Sequence, residues 1–312
     1  MRRKAFKSLL SSLDSLTHNQ RKILLDQFTT NPAIESLKLI EARNNYQNNC
    51  PHCDSSKVQR WGKSHNAQRF RCKVCLKTFN SLTNCPLSKL HHKEKWLLYA
   101  QCLLEGLSIR KAAKICGIDP KTSFRWRHRF LANATHPPSV KMMGIVEADE
   151  TFFTENFKGS RTIRHRAPKK RGKSSKRNSP DRVPVLLVRD RNGSTANFVY
   201  RTIEKQAVHD SLLPLVDKEV VLCTDGNSIY QSFAKDAGID HKRLIAADGI
   251  KVLDEIFHIQ NLNTYISRLK RWMVKFNGVA TKYLDHYLGW RRIIETKNKV
   301  ISEKDYLQIA LL

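Results

Sequence analysis

Apolar positions recur at two different periods along the chain, and the change of period divides it. Leu9, Leu10, Leu13 and Leu16 fall at helical spacing with polar residues between them, which predicts two short helices within 1–45. Residues 50–75 have turn and strand character, and a helical pattern returns from about 88 to 133. The run Thr135-His136-Pro137-Pro138-Ser139 then stops it, because successive prolines cannot continue a helix. Beyond this boundary the apolar runs shorten to strand length, at 144–153, 183–188 and 195–200. Asn192-Gly193 between the last two signals a hairpin. A helix over about 205–216, a run ending at Asp225, a helix over 228–237, a short run at 244–247 and a long helical tail from about 258 complete the pattern. Such an order predicts an α/β fold, a sheet of mixed direction covered by helices.

Charge changes what this fold is expected to meet. Against 28 acidic residues stand 56 Lys and Arg, a formal charge of +28 on 312 residues, so a polyanion is the expected partner and DNA or RNA leads. A membrane surface is the rival. No stretch approaches the roughly 18 apolar residues of a spanning helix, and the N-terminus has no signal-peptide core, so a soluble, cytoplasmic and nucleoid-associated protein is expected.

Cys50-Pro-His-Cys53 and Cys72-Lys-Val-Cys75 are two knuckles separated by 18 residues, the spacing of a four-thiolate zinc ribbon. Each knuckle presents two thiolates from one tight turn, and so short a segment has too little core to fold without its metal. The zinc reads as structural, because four sulfurs leave no position for water. Cys85, Cys102, Cys116 and Cys223 lack partners at ligand spacing and read as small buried apolar residues.

Downstream, Ser108 can cap one helix, Gly117 can make a turn, and Asp119-Pro120 can open a second helix. That helix carries Lys121, Arg125, Arg127 and Arg129, so it reads either as the recognition helix of a helix-turn-helix or as an ordinary hairpin with a solvated face. Between Lys158 and Arg177 lie ten Lys or Arg and no acid, including Lys169, Lys170 and Arg171. This insert, bounded at 157–180, cannot bury a core and suits phosphate contact.

Asp149, in Val146-Glu-Ala-Asp149-Glu-Thr-Phe152, and Asp225, in Cys223-Thr-Asp225-Gly226, end two different apolar runs. Long-range folding could bring both carboxylates around divalent cations, and oxygen ligands suit magnesium or manganese. Taken singly, either Asp could be a cap or a turn residue. Glu147 and Glu150 flank Asp149 and read, by strand alternation, as pointing to the opposite face, in supporting or surface roles.

Together with His258-Ile-Gln-Asn-Leu-Asn263 through Arg268 and Lys270, and with Gly278 through Trp290, these motifs resemble insertion-sequence transposases of the IS1595 group, which share the ISXO2-like transposase domain. The resemblance runs from about residue 45 to the C-terminus. It implies a ribonuclease H-like catalytic domain over 140–312, preceded by an N-terminal helical segment (1–45), a zinc ribbon (46–86) and an all-α helix-turn-helix region (87–135). It further implies that Asp149 and Asp225 are metal ligands, and that the place of a final Glu is taken by Asn263, with Lys270 two helical turns on. Arg268 joins the expected DNA contacts. Asn offers a neutral oxygen but no carboxylate base, so Asp254, Glu255 and Asp285 stand in reserve for a third acid. His258 reads equally as a proton carrier near the site or as a buried, hydrogen-bonded histidine.

The implied activity is cleavage and joining of double-stranded DNA at the terminal inverted repeats of a mobile element: water attacks first, then the freed 3′-hydroxyl attacks the target. A dimer or larger homo-oligomer is expected because two ends must be handled together. A non-catalytic zinc-ribbon and helix-turn-helix regulator and a stand-alone nuclease on the same fold are the alternatives.

Overall fold

The computed structural model describes residues 11–13, 15–17, 19–21, 31–43, 49–64, 67–136, 141–160, 162–163, 181–245, 249, 252–295 and 301–312. The chain forms two compact units, Met1–Phe130 with Ser302–Leu312, and Leu131–Ile301.

In the first unit, helical residues occur at 11–13 and 19–21, and α1 (Pro32–Ala42) opens on Asn31, whose side chain accepts from the Ala33 N–H. Proline follows at the first turn, where no amide hydrogen is needed. The cysteine-bearing segment is an antiparallel meander of β1 (Val58–Ser64), β2 (Ala67–Cys72) and β3 (Thr78–Asn80). Its core is small: Phe70 stacks on Phe79, beside buried Cys50 and Cys72.

Three helices follow, α2 (Trp96–Leu104), α3 (Ile109–Cys116) and α4 (Pro120–Phe130). Ser108 caps α3 by accepting from the Lys111 N–H, Gly117 ends it at φ 56°, and Asp119 accepts from the Lys121 N–H at the start of α4. Trp96, Tyr99, Trp126 and Phe130 pack edge to face in the core between these helices. The C-terminal helix (Glu303–Leu311) packs against α2, started by a capping box between Ser302 and Asp305 and anchored by the buried Tyr306, Leu307 and Leu311. This corrects the sequence expectation, which assigned 302–312 to the α/β domain. An amphipathic helix needs an apolar surface to cover, and chain order does not say which one.

The second unit is built on a five-stranded sheet of β4 (Ile145–Thr154), β5 (Arg182–Asp190), β6 (Thr195–Val199), β7 (Val221–Thr224) and β8 (Asp240–Arg243), in the order β6-β5-β4-β7-β8. β4, β5 and β6 run antiparallel, and β7 and β8 add parallel to β4. The β5–β6 turn closes at Gly193, whose N–H donates to the Asp190 carbonyl. The parallel additions need crossovers, supplied by α5 (Lys205–Leu212) and α6 (Ser228–Ala237). Their apolar faces cover one side of the sheet, with Val208, Leu212, Tyr230 and Phe233 against Val146, Ala148, Leu186 and Val188.

The last strand lies at 240–243 rather than at the expected 244–247; residues 246–247 are outside the described set. Polar Asp240, His241, Lys242 and Arg243 hide an edge strand from a search for apolar runs. Nor is the expected tail one long helix. α7 (Gln260–Val274) ends at a turn in which Asn277 and Gly278 take φ 49° and 89°, and α8 (Leu284–Ile294) follows. α7 packs on β4 and β5, and α8 on β6. A Cβ on Gly289 would sit 1.9 Å from the Ala134 carbonyl oxygen, so only glycine lets α8 approach that backbone.

Candidate functional site

The four knuckle cysteines bring their sulfurs within 4.8 Å of one another. Cys50 and Cys75 are 3.6 Å apart, as are Cys53 and Cys72, and none is in a disulfide. A tetrahedron with zinc–sulfur bonds of about 2.3 Å has edges of about 3.8 Å, so the donors fit that ion in number, chemistry and spacing. Backbone N–H groups of Val74 and Cys75 donate to the Cys72 sulfur, and that of His52 donates to Cys50. The Cys75 N–H, followed by that of Val74, pulls the Cys72 thiol down to about 6, which favours the thiolate a metal requires.

A second group forms in the α/β unit, where parallel pairing of β4 with β7 sets Asp149, midway along β4, beside the C-terminal end of β7. Carboxylate oxygens of Asp149, Glu150 and Asp225 lie within 4.8 Å of one another. The Asp149 carboxylate accepts from the Glu150 N–H at 2.8 Å, and Asp225 accepts from the Asn227 N–H at 3.3 Å. Asn227 links the group to α6: its Oδ1 caps the helix by accepting from the Ile229 N–H, and its amide donates to Glu150 Oε1. Gly226, at φ 93°, makes the turn between β7 and that cap.

Burial pushes the Asp149 carboxyl up to about 7, with the Asp225 charge adding to it and Lys270 pulling back. Burial also raises Glu150, against the pull of the Tyr230 hydroxyl, while the Asp225 charge raises it further. Lys270 is lowered, by burial first and by the Arg182 charge second, with Asp149 opposing. Three carboxyl groups this close repel one another until a cation neutralises them, and an all-oxygen donor set suits a hard divalent ion.

A family model for the ISXO2-like transposase domain matches residues 141–291, the segment that carries all three carboxylates. Residues 141–291 belong to the ISXO2-like transposase domain family. The mixed sheet, three antiparallel strands continued by two parallel ones, accords with a ribonuclease H-like arrangement of this domain. Among curated proteins the chain is 27% identical over 274 residues to an uncharacterized protein in transposable element ISH50 of Halobacterium salinarum, covering 84% of this chain and 91% of that protein. Solved structures of a pre-cleavage Mos1 transpososome and of the Mos1 strand transfer complex align with 68% and 64% of this chain and 76% and 75% of theirs. Both are 11% identical, with TM-scores of 0.25.

Within the ISXO2-like domain, Glu147 departs most from the sequence reading. It is two residues from Asp149, so strand alternation places it on the same face, and it is 1% exposed rather than at the surface. Its Oε2 accepts from the Leu262 N–H at 2.7 Å and its Oε1 from the Asn261 amide at 3.2 Å, so it holds the first turn of α7. Arg191 at 3.4 Å and His258 at 3.7 Å face the same carboxylate. The His258 ring also meets Arg191 at 2.9 Å and accepts from the Gln260 N–H. Glu150 is likewise corrected: it faces the two aspartates and Asn227 instead of standing apart from them.

Asn263 sits on the exposed side of α7, one residue after the Leu262 amide that Glu147 holds. Lys270, seven residues on, is near enough to Asp149 for each charge to act on the other. The reserve acids Asp254, Glu255 and Asp285 are outside the three-carboxylate group. Arg268 pairs with Glu295 through Nε and Nη2, its side chain remaining 40% exposed. In the first unit, Lys121 and Arg125 are exposed on α4, whereas Arg127 is 0% exposed and donates to the Leu107 carbonyl. The Arg127 position on the helix turns it into the core, so it cannot reach DNA. Arg129 is half-buried and donates to the Ser88 carbonyl. Lys169, Lys170 and Arg171 lie outside the described residues. No helix among the described residues is long and apolar enough to cross a membrane.

Sequence reasoning passed over Asn227 and put Glu147 on the wrong face. An Asn directly before a helical run was the available signal for the first, and the spacing of two from Asp149 was the signal for the second.

Proposed function

We propose that this protein is a DNA transposase that cuts the ends of its own mobile element and joins them to target DNA. The zinc ribbon and the α3–α4 pair would hold the terminal inverted repeats, and the ISXO2-like domain would act on the phosphodiester. The observation that carries this reading is the convergence of Asp149, Asp225 and Glu150 where β7 ends beside β4, with Lys270 near them, in a chain of charge +28. Asp149 and Asp225 are the primary ligands for magnesium or manganese, and Asn263 can add a neutral oxygen. When bound, these ions supply charge neutralisation and a more acidic water for attack on phosphorus. Lys270 can pair with a phosphate oxygen. Glu150 brings a third carboxylate to the aspartates, which favours catalysis over a regulator that has lost its chemistry. Handling two ends together requires a dimer or larger assembly.

The test uses purified full-length protein with a labelled duplex carrying the inverted repeat that flanks the coding sequence. Magnesium is expected to support cleavage, and Asp149→Asn or Asp225→Asn to bind the duplex yet leave it uncut. Glu150→Gln is expected to raise the magnesium needed for half-maximal cutting by about tenfold or more. Magnesium-dependent cleavage retained in Asp149→Asn would falsify the assignment, and full activity in Asn263→Ala would remove that residue from it.

A further inference from the structure

A cavity of about 330 Å³ opens in the ISXO2-like domain where the end of β4 meets α7 and the start of α8. Its volume falls at the low end of small-ligand sites. Phe153, Met273, Val279 and Leu284 give it apolar walls, while Phe152 and Val274 stand at 38% and 71% exposure. Thr154, Thr281 and Lys270 bring polar groups, and no carboxylate is among the described lining residues.

One wall is held in place by the backbone. Asn156 and Thr281 exchange two hydrogen bonds, the Thr281 N–H donating to the Asn156 carbonyl at 2.8 Å and the Asn156 N–H to Thr281 Oγ1 at 2.9 Å. Lys158 donates to the carbonyls of Phe276, Asn277 and Gly278 at 2.9, 3.1 and 3.0 Å. A Cβ on Gly278 would lie 2.6 Å from the Asn156 amide nitrogen. The cavity is therefore a formed feature of the domain and does not depend on a ligand to shape it.

An occupant must be flat or compact, apolar on its faces, polar at its edges, and attached to negative charge that Lys270 can meet. A nucleobase on its phosphodiester strand has these properties, and stacking on apolar or aromatic side chains is how unpaired bases are held. Lys270 lines the cavity and also interacts with Asp149, so one side chain joins both places. Phe152 is three residues beyond Asp149 on β4, about 10 Å at strand rise. At 3.4 Å per stacked nucleotide, this is about three nucleotides from a phosphate at Asp149.

We propose that this cavity receives an unpaired nucleobase of the DNA end, within about three nucleotides of the phosphate that is cut; the inference rests on the transposase reading above. The probe is the inverted-repeat duplex with 2-aminopurine placed in turn at each position near the cut, which brightens when unstacked. Full-length protein is added in calcium, at concentrations that saturate the duplex by anisotropy. One position in that window is expected to brighten by at least about twofold over naked duplex. The exposed double substitution Phe152→Ala with Val274→Ser, which removes wall without touching the core, is expected to cancel most of that rise at equal saturation. No brightening at any position, or brightening indifferent to the double substitution, overturns the proposal. Cleavage of the same duplex in magnesium is read separately, so a failed transposase reading and a failed pocket remain distinct.

Discussion

Asp149 holds its proton to about pH 7 because burial and two neighbouring carboxylates oppose its charge. In the unfolded chain the same carboxyl ionises near 3.8. Its folded value is raised, so its contribution to stability is complete below the unfolded value and is lost as pH climbs towards the folded one. The metal-free protein thus accumulates a penalty between about pH 3.8 and pH 7, which stays constant above that. Asp149→Asn removes the charge and is expected to raise the Tm of zinc-loaded protein in buffer free of magnesium and manganese at pH 8, with little gain at pH 4. Thermal unfolding followed by circular dichroism at both pH values checks this, and an equal gain at both would show that packing, not ionisation, is responsible. Individual residues were unevenly legible. The two aspartates stood out because each ended an apolar run, but Glu150 and Asn227 have no such signal: their part depends on which strand end is folded beside them.

Elements carry the next level of organisation, and here Glu147 ties a strand to a helix. Glu147→Ala would leave the Leu262 and Asn261 donors and the Arg191 charge without their buried partner, at a cost of about 1–3 kcal/mol. Glu147→Gln, which can still accept one of these bonds, is expected to lose less. Urea denaturation ranks the variants; a Glu147→Ala midpoint equal to wild type would mean that α7 is positioned by other contacts. On α4, the two arginines make opposite predictions. Arg125→Ala is expected to weaken DNA binding and to reduce the slope of log K against log salt by about 0.9, as for one lost phosphate contact. Arg127→Ala is expected instead to destabilise the fold by about 1–3 kcal/mol, because the Leu107 carbonyl loses its buried donor. Fluorescence anisotropy across a salt series and urea unfolding separate the two. A composition-based reading grouped these residues because charge is visible in sequence. Helical position divides them, since residues two apart on a helix face different surroundings.

At the scale of the whole molecule, local spacing and long-range assembly contributed different things. The knuckle spacing, the capping residues Ser108 and Asp119, the hairpin at Asn192-Gly193 and the excess of positive charge are short-range properties, readable because each depends on neighbours in the chain. The sequence by itself therefore determined the thiolate group, the capped α3–α4 helix pair, the mixed α/β character and the pair of aspartates. Tertiary structure alone decided that β7 pairs parallel to β4 and brings Asp225 to Asp149, that Glu150 joins them, and that Glu147 turns inward to hold α7. It also decided that the C-terminal helix covers α2 in the first unit. The physical reason is that these contacts join residues tens to hundreds of positions apart, and their free energy comes from burial and charge compensation that exist only once the sheet has closed.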